Sequence, residues 1–193
     1  KERHQIIIVV AELLNIELGR VSVQEYKELP DSGVVIVLDN VRSAHNVGSA
    51  FRTADSFKVD KIWLCGICAV PPSAEIHKSA LGAEDSVEWE HSADTMEAVR
   101  RLCENGTKLI VTVDNGISAV KEAELIYELG MQLVITDHHQ PLEELPRAEA
   151  IVDPHRSDCP SPYKKYCGAG LALLLTAALD GGDDTMALEQ FGE

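Results

Sequence analysis

Aliphatic runs at residues 34–38, 61–65, 108–113, 132–136 and 149–152 punctuate the chain. Runs this short, with little polar alternation, predict strands buried in a parallel sheet. Between them, 47–57, 95–104 and 117–129 predict helices, as does a shorter stretch near 76–81. Residues 168–179 form a last, almost wholly apolar helix. Strands alternating with helices predict an α/β fold: a mostly parallel, Rossmann-like sheet of about five strands, with helices on both faces and no knot. Residues 1–33 read as an N-terminal helical extension, in which Ser22 and Glu25 have capping-box spacing before a helix at 23–29. The join between the halves 34–106 and 107–193 falls at Asn105-Gly106-Thr107, and the two are expected to pack as one domain.

The chemistry-bearing residues stand where the apolar runs end. Residues 108–113 lead into Asp114-Asn115-Gly116, and 132–136 lead into Asp137-His138-His139. The β-α-β spacing places both ends on one edge of a parallel sheet, where open α/β folds hold ligands. Asp114, His138 and His139 there predict a divalent metal site suited to Mn or Mg, with Asp137 orienting a histidine rather than binding the ion. Taken alone, Asp114 reads as the cap of a βα turn, whereas Asp-His-His at the end of a buried strand reads as a metal site in preference to surface histidines. Asp153 and His155, in a Pro-rich loop, read as a solvated turn, and Gly168-Ala169-Gly170 as a plain helix start or a phosphate-binding one. At the first strand end, Asp39 is followed by Asn46, Gly48 and Arg52. Asn46 is expected to cap a helix, Gly48 to permit a close backbone approach, and Arg52 to offer a planar fork to phosphate. A capped helix with one exposed arginine accounts for the same spacing.

Charge narrows the partners. The chain of 193 residues has a net charge of -15, with 11 Lys/Arg against 17 Asp/Glu in residues 1–105 and 6 against 15 in the remainder. It has no general pull on a phosphate backbone, so single-stranded DNA or RNA is expected to bind only through a local site. No apolar run approaches a membrane span, and no secretory leader is visible. A start at Lys1 rather than Met suggests a trimmed or incomplete reading frame. Five cysteines, an odd number, fit reduced thiols and a cytoplasmic location. Cys65-Gly-Ile-Cys68 lacks a second pair at zinc-ligand spacing and reads as two buried or half-buried thiols.

Two resemblances sharpen these expectations. Residues 38–57, Lys61-Ile-Trp-Leu-Cys-Gly66, Pro71-Pro72, Glu75-Ile-His-Lys78 and the stretch 80–87 resemble the TrmH/SpoU family of RNA 2'-O-ribose methyltransferases, over about residues 20–105. The resemblance implies that Asn46 and Arg52 belong to the family's first motif, with Arg52 serving the reacting ribose-phosphate, and that Lys78 belongs to the segment after the second strand. The G-N-E-x-x-G loop and the later I-P-x-x-G and S-L-N-V-S segments of that family's C-terminal knot are absent. S-adenosylmethionine is therefore not an expected cofactor of this chain alone.

Residues 107–193 resemble the DHH domain of the RecJ family of single-strand-specific exonucleases. The residues that carry the likeness are 108–120, Glu128-Leu-Gly130, Leu133-Val-Ile-Thr-Asp-His-His139, Ala150-Ile-Val-Asp-Pro-His155 and Cys167-Gly-Ala-Gly170. The resemblance implies that Asp114, His138 and His139 bind catalytic metal. The family's D-x-D-G pair on its first strand is absent, and Asp39 is the only candidate stand-in. Three ligands imply weak Mn or Mg binding. Three functions follow as expectations. The first is a hybrid with a partial metal-dependent phosphodiesterase site, Asp114 being catalytic. The second is an RNA methyltransferase-like protein using Arg52 and Asn46. The third is a folded chimera without activity.

Overall fold

The computed structural model describes residues 21–30 and 32–182; what the sequence predicts for 1–20, for Asp31 and for 183–193 lies outside the described residues. The chain divides between Thr95 and Met96 into two compact units. Each holds a three-stranded parallel sheet.

The first unit opens with α1 (Val23–Glu28), and its capping box is present. The Ser22 hydroxyl accepts the Glu25 N–H, and the Glu25 carboxylate accepts the Ser22 N–H at 2.8 Å. Then come β1 (Val35–Asp39), α2 (Ala44–Ser56), β2 (Lys61–Cys65), α3 (Ala74–Ala80), α4 (Ala83–Ser86) and β3 (Trp89–Ser92), with the strands in the order β1-β2-β3. Val47, Phe51, Ile62, Leu64 and Ile76 fill its core. Gly48 faces α3 so closely that a Cβ there would overlap the Ser79 hydroxyl and the Ile76 carbonyl, the close approach expected of it. Ser43, rather than Asn46, caps α2: its hydroxyl accepts the Asn46 N–H at 3.2 Å. The helix begins three residues before the predicted start at 47, so the capping oxygen must come from Ser43.

The second unit carries most of α5 (Thr95–Glu104), then β4 (Leu109–Val113), α6 (Val120–Glu128), β5 (Gln132–Thr136), β6 (Ala150–Val152) and α7 (Gly168–Leu179). Its sheet order is β4-β5-β6, over a core of Val99, Ala123, Ile126, Met131, Leu133 and Ile135.

The α/β class with parallel strands holds. The single sheet of about five strands is corrected to two sheets of three. The pattern missed β3, where Glu90 and His91 interrupt the apolar run. The buried-strand expectation also fails for β4, an edge strand whose Leu109, Val111 and Val113 are each about half exposed. The central β5, by contrast, buries Leu133, Ile135 and Thr136 almost completely.

Candidate metal centre

Register brings the three strand ends of the second unit into one row. Val113 pairs with Thr136, and Thr136 with Val152. The next residue of each strand is an aspartate: Asp114, Asp137 and Asp153. The Asp114 N–H donates to the Thr136 carbonyl and the Asp137 N–H to the Val152 carbonyl, both at 3.0 Å.

The loop after β4 is held to one shape. Asp114 adopts the left-handed conformation, φ 64°. The Thr112 hydroxyl donates to the Asn115 carbonyl at 2.8 Å, and the Thr136 hydroxyl to the Thr112 carbonyl at 2.7 Å. Gly116 has φ 109°, and a Cβ there would stand 2.6 Å from the Thr112 hydroxyl, so glycine is required twice over. The start of α7 lies against the Asp114 carboxylate: a Cβ on Gly168 would come within 2.6 Å of Asp114 Oδ1.

His138 Nε2 sits 2.8 Å from Asp114 Oδ1. His139 stacks obliquely on His138, with ring centroids 4.6 Å apart. Its Nδ1 pairs with Asp137 Oδ1 at 2.7 Å, leaving Nε2 as its outward ligand atom. One ligand atom each from Asp114, His138 and His139 lies within 4.8 Å of the others.

Asp137, 1% exposed, organises the loop around these groups. Oδ2 accepts the Ile117 N–H at 3.0 Å, while Oδ1 accepts the backbone N–H groups of His138 and His139 as well as the His139 ring. Burial alone would raise this carboxyl; the three backbone donors and the ring outweigh it and hold the group below the ordinary carboxylate value. The same ring contact raises His139, against a smaller opposing effect of burial.

Asp153 is buried, where the sequence pattern predicted a solvated turn. It is 3% exposed, and Oδ1 accepts the His155 N–H at 2.7 Å. Asp153 Oδ2 and His155 Nδ1 are buried without a hydrogen-bond partner. Burial first, and the Asp137 charge after it, push the Asp153 carboxyl up. Arg156 closes the turn beneath, donating to the Ile151 carbonyl at 2.6 Å and to both Asp158 oxygens. Asp153 follows the end of a third parallel strand, as Asp114 and Asp137 follow the other two.

The donor set fits a divalent cation. One carboxylate oxygen and two imidazole nitrogens are donors that a divalent metal ion accepts, with water completing the shell, and the Asp137–His139 contact is the kind of support a ligating histidine receives.

The remaining predicted residues lie in the first unit. Arg52 and Lys78 line one open cleft with His45, Ser49, Thr53 and Ser79; Asn46 is not among the residues that line it. Asp39 ends β1 and takes hydrogen bonds from the Thr95 hydroxyl and the Asn40 amide. Cys65 and Cys68 are buried free thiols, as expected; burial pushes Cys65 up to about 11.

The fold and this cluster define a parallel α/β protein with an acid–imidazole group at a sheet edge. The SpoU rRNA methylase family model matches residues 33–135, more than half of the sequence, and the chain belongs to that family. It is also 48% identical over 85 residues to the single-stranded-DNA-specific exonuclease RecJ of Bacillus subtilis (strain 168), covering 44% of this chain and 11% of RecJ. The 23S rRNA (guanosine-2'-O-)-methyltransferase RlmB of Nitrosomonas europaea is 30% identical over 109 residues, covering 56% of this chain and 42% of RlmB. The chain thus spans only a small part of its RecJ relatives and less than half of this RlmB. A crystal structure of RecJ from Thermus thermophilus in complex with Mn2+ superimposes with a TM-score of 0.43 at 22% identity, covering 85% of this chain and 21% of that one.

Proposed function

We propose that the second unit binds a divalent cation through Asp114, His138 and His139 and uses it on a phosphodiester of single-stranded nucleic acid. The observation that carries this reading is the convergence of the three ligand atoms within 4.8 Å at adjacent strand ends. When bound, the cation would neutralise phosphate charge and lower the pKa of a water. That matters in a chain of net charge -15, which otherwise repels a phosphate backbone. The protein's own part is positional. Asp137 fixes the His139 ring and both histidine amides, and Gly168 seats Asp114. The identity to RecJ, which is named for action on single-stranded DNA, supports the substrate class.

The test is hydrolysis of an end-labelled single-stranded oligonucleotide with Mn. Turnover that requires the metal and disappears in Asp114→Ala supports the proposal. No turnover in the wild type, at any Mn concentration, would leave the reading of a folded chimera without activity.

A second reading rests on the Arg52–Lys78 cleft. Two cations lining one cleft suit an RNA phosphate, in keeping with the SpoU family and the RlmB likeness. Under this reading an rRNA fragment binds the wild type and is released by Arg52→Ala. Equal binding by both proteins removes it.

A further inference from the structure

Of the three aspartates in the row, Asp153 alone has no task in the arrangement above. Asp137 is satisfied by four hydrogen bonds, and Asp114 faces His138. Asp153 has one backbone donor on Oδ1 and nothing on Oδ2, although its side chain is fully buried. An unpartnered buried carboxylate oxygen is costly, and a protein of this size leaves few of them. In the same turn His155 Nδ1 is also unpartnered, 3.8 Å from Asp153 Oδ1. Two orphaned polar atoms, one strand away from the acid–imidazole cluster, mark a place built for something polar.

The charge of Asp153 acts on His139 as well as on His138. It lies outside the group whose ligand atoms gather within 4.8 Å, so direct ligation alongside the other three is not the arrangement its position favours. Mn and Mg retain several waters when few protein ligands are offered, and such waters need acceptors. We infer that Asp153 is a positioning residue of the cation site, its Oδ2 accepting a hydrogen bond from a cation-bound water. The inference rests on the cation reading above and adds the residue that would orient the water.

The experiment is a calorimetric Mn titration of the wild type, Asp114→Asn and Asp153→Asn, each confirmed folded by thermal melting. Asn keeps the shape of Asp153 and can retain the His155 contact, but its amide nitrogen cannot accept from a water. The expected result is Mn affinity about 10–100-fold weaker in Asp153→Asn, the usual effect of removing an outer partner, and abolished in Asp114→Asn. Exchange of the Mn-bound water, read by oxygen-17 relaxation, should also quicken in Asp153→Asn; a carboxyl with only a structural role would leave it unchanged. Wild-type affinity and exchange in folded Asp153→Asn overturn the inference while the three-residue site stands. No Mn binding by the wild type overturns both. If Asp153→Asn does not fold, Asp153→Ser, whose hydroxyl can replace the His155 partner, is read in the same way.

Discussion

His138 Nε2 and Asp114 Oδ1 lie 2.8 Å apart, joining two residues 24 positions distant in sequence. A cation bound by both atoms takes the place of the contact between them, and the imidazole must offer it a nitrogen without a proton. Mn affinity is therefore expected to fall as pH drops, as read by calorimetric titration across pH. Affinity that stays unchanged from neutral pH into acid would mean that the cation sits elsewhere.

Gly168 provides a second handle on Asp114. A Cβ at 168 would crowd Asp114 Oδ1, Cβ and Cγ at 2.6–2.8 Å. Alanine is the better helix former by roughly 0.5–1 kcal/mol, which offsets part of that overlap. Gly168→Ala is expected to shift the carboxylate and weaken Mn binding about tenfold, within the range for residues that orient ligands. Melting and titration of the same sample separate the two effects.

Asp137 makes the unit acid-sensitive. Its folded pKa lies below the unfolded value of about 3.9, so its contribution is complete above that pH and is lost as pH falls through the lower folded value. His139 is shifted upward, so its share is complete below about 6.5 and is lost as pH rises through the raised folded value. The pair therefore stabilises most between about pH 4 and 6.5. Asp137→Asn is expected to cost about 1–3 kcal/mol at neutral pH, because a donor amide then faces one of the N–H groups. The difference from wild type should shrink in acid, as read by urea unfolding across pH.

Asp153 has the opposite sign. Its folded pKa is raised, so the stability it allows is complete below the unfolded value of about 3.9 and declines as pH rises through the folded one. Asp153→Asn is expected to melt higher than wild type at neutral pH, with the two curves meeting in acid. A lower melting temperature at neutral pH would mean that the ionised carboxylate is compensated by a contact other than His155.

Legibility in the sequence followed the apolar runs. Asp114, His138 and His139 could be placed together because each follows an unbroken run whose end is easy to see. Asp137 was expected to orient a histidine, and its 2.7 Å contact with His139 has the geometry for that. Asp153 was hidden by its neighbours: Pro154, Arg156 and Ser157 give the stretch the composition of a solvated turn, and its burial comes from strand pairing that composition does not report. The strand β3 was hidden in the same way by Glu90 and His91. The helix α2 has two residues able to cap it, Ser43 and Asn46, and propensity alone does not choose between starts three residues apart. Hydrophobic pattern identifies strands but not where a sheet stops, which is why two sheets of three were read as one.

Electron spin-echo spectroscopy of Mn added to the protein, with histidine nitrogens labelled as 15N, tests the shared acid–imidazole site most directly. Nitrogen couplings from directly bound imidazole should be present in the wild type, be diminished in His138→Ala and vanish together with tight binding in Asp114→Asn. Mn bound with no histidine coupling, or with couplings unchanged by His138→Ala, would contradict the site.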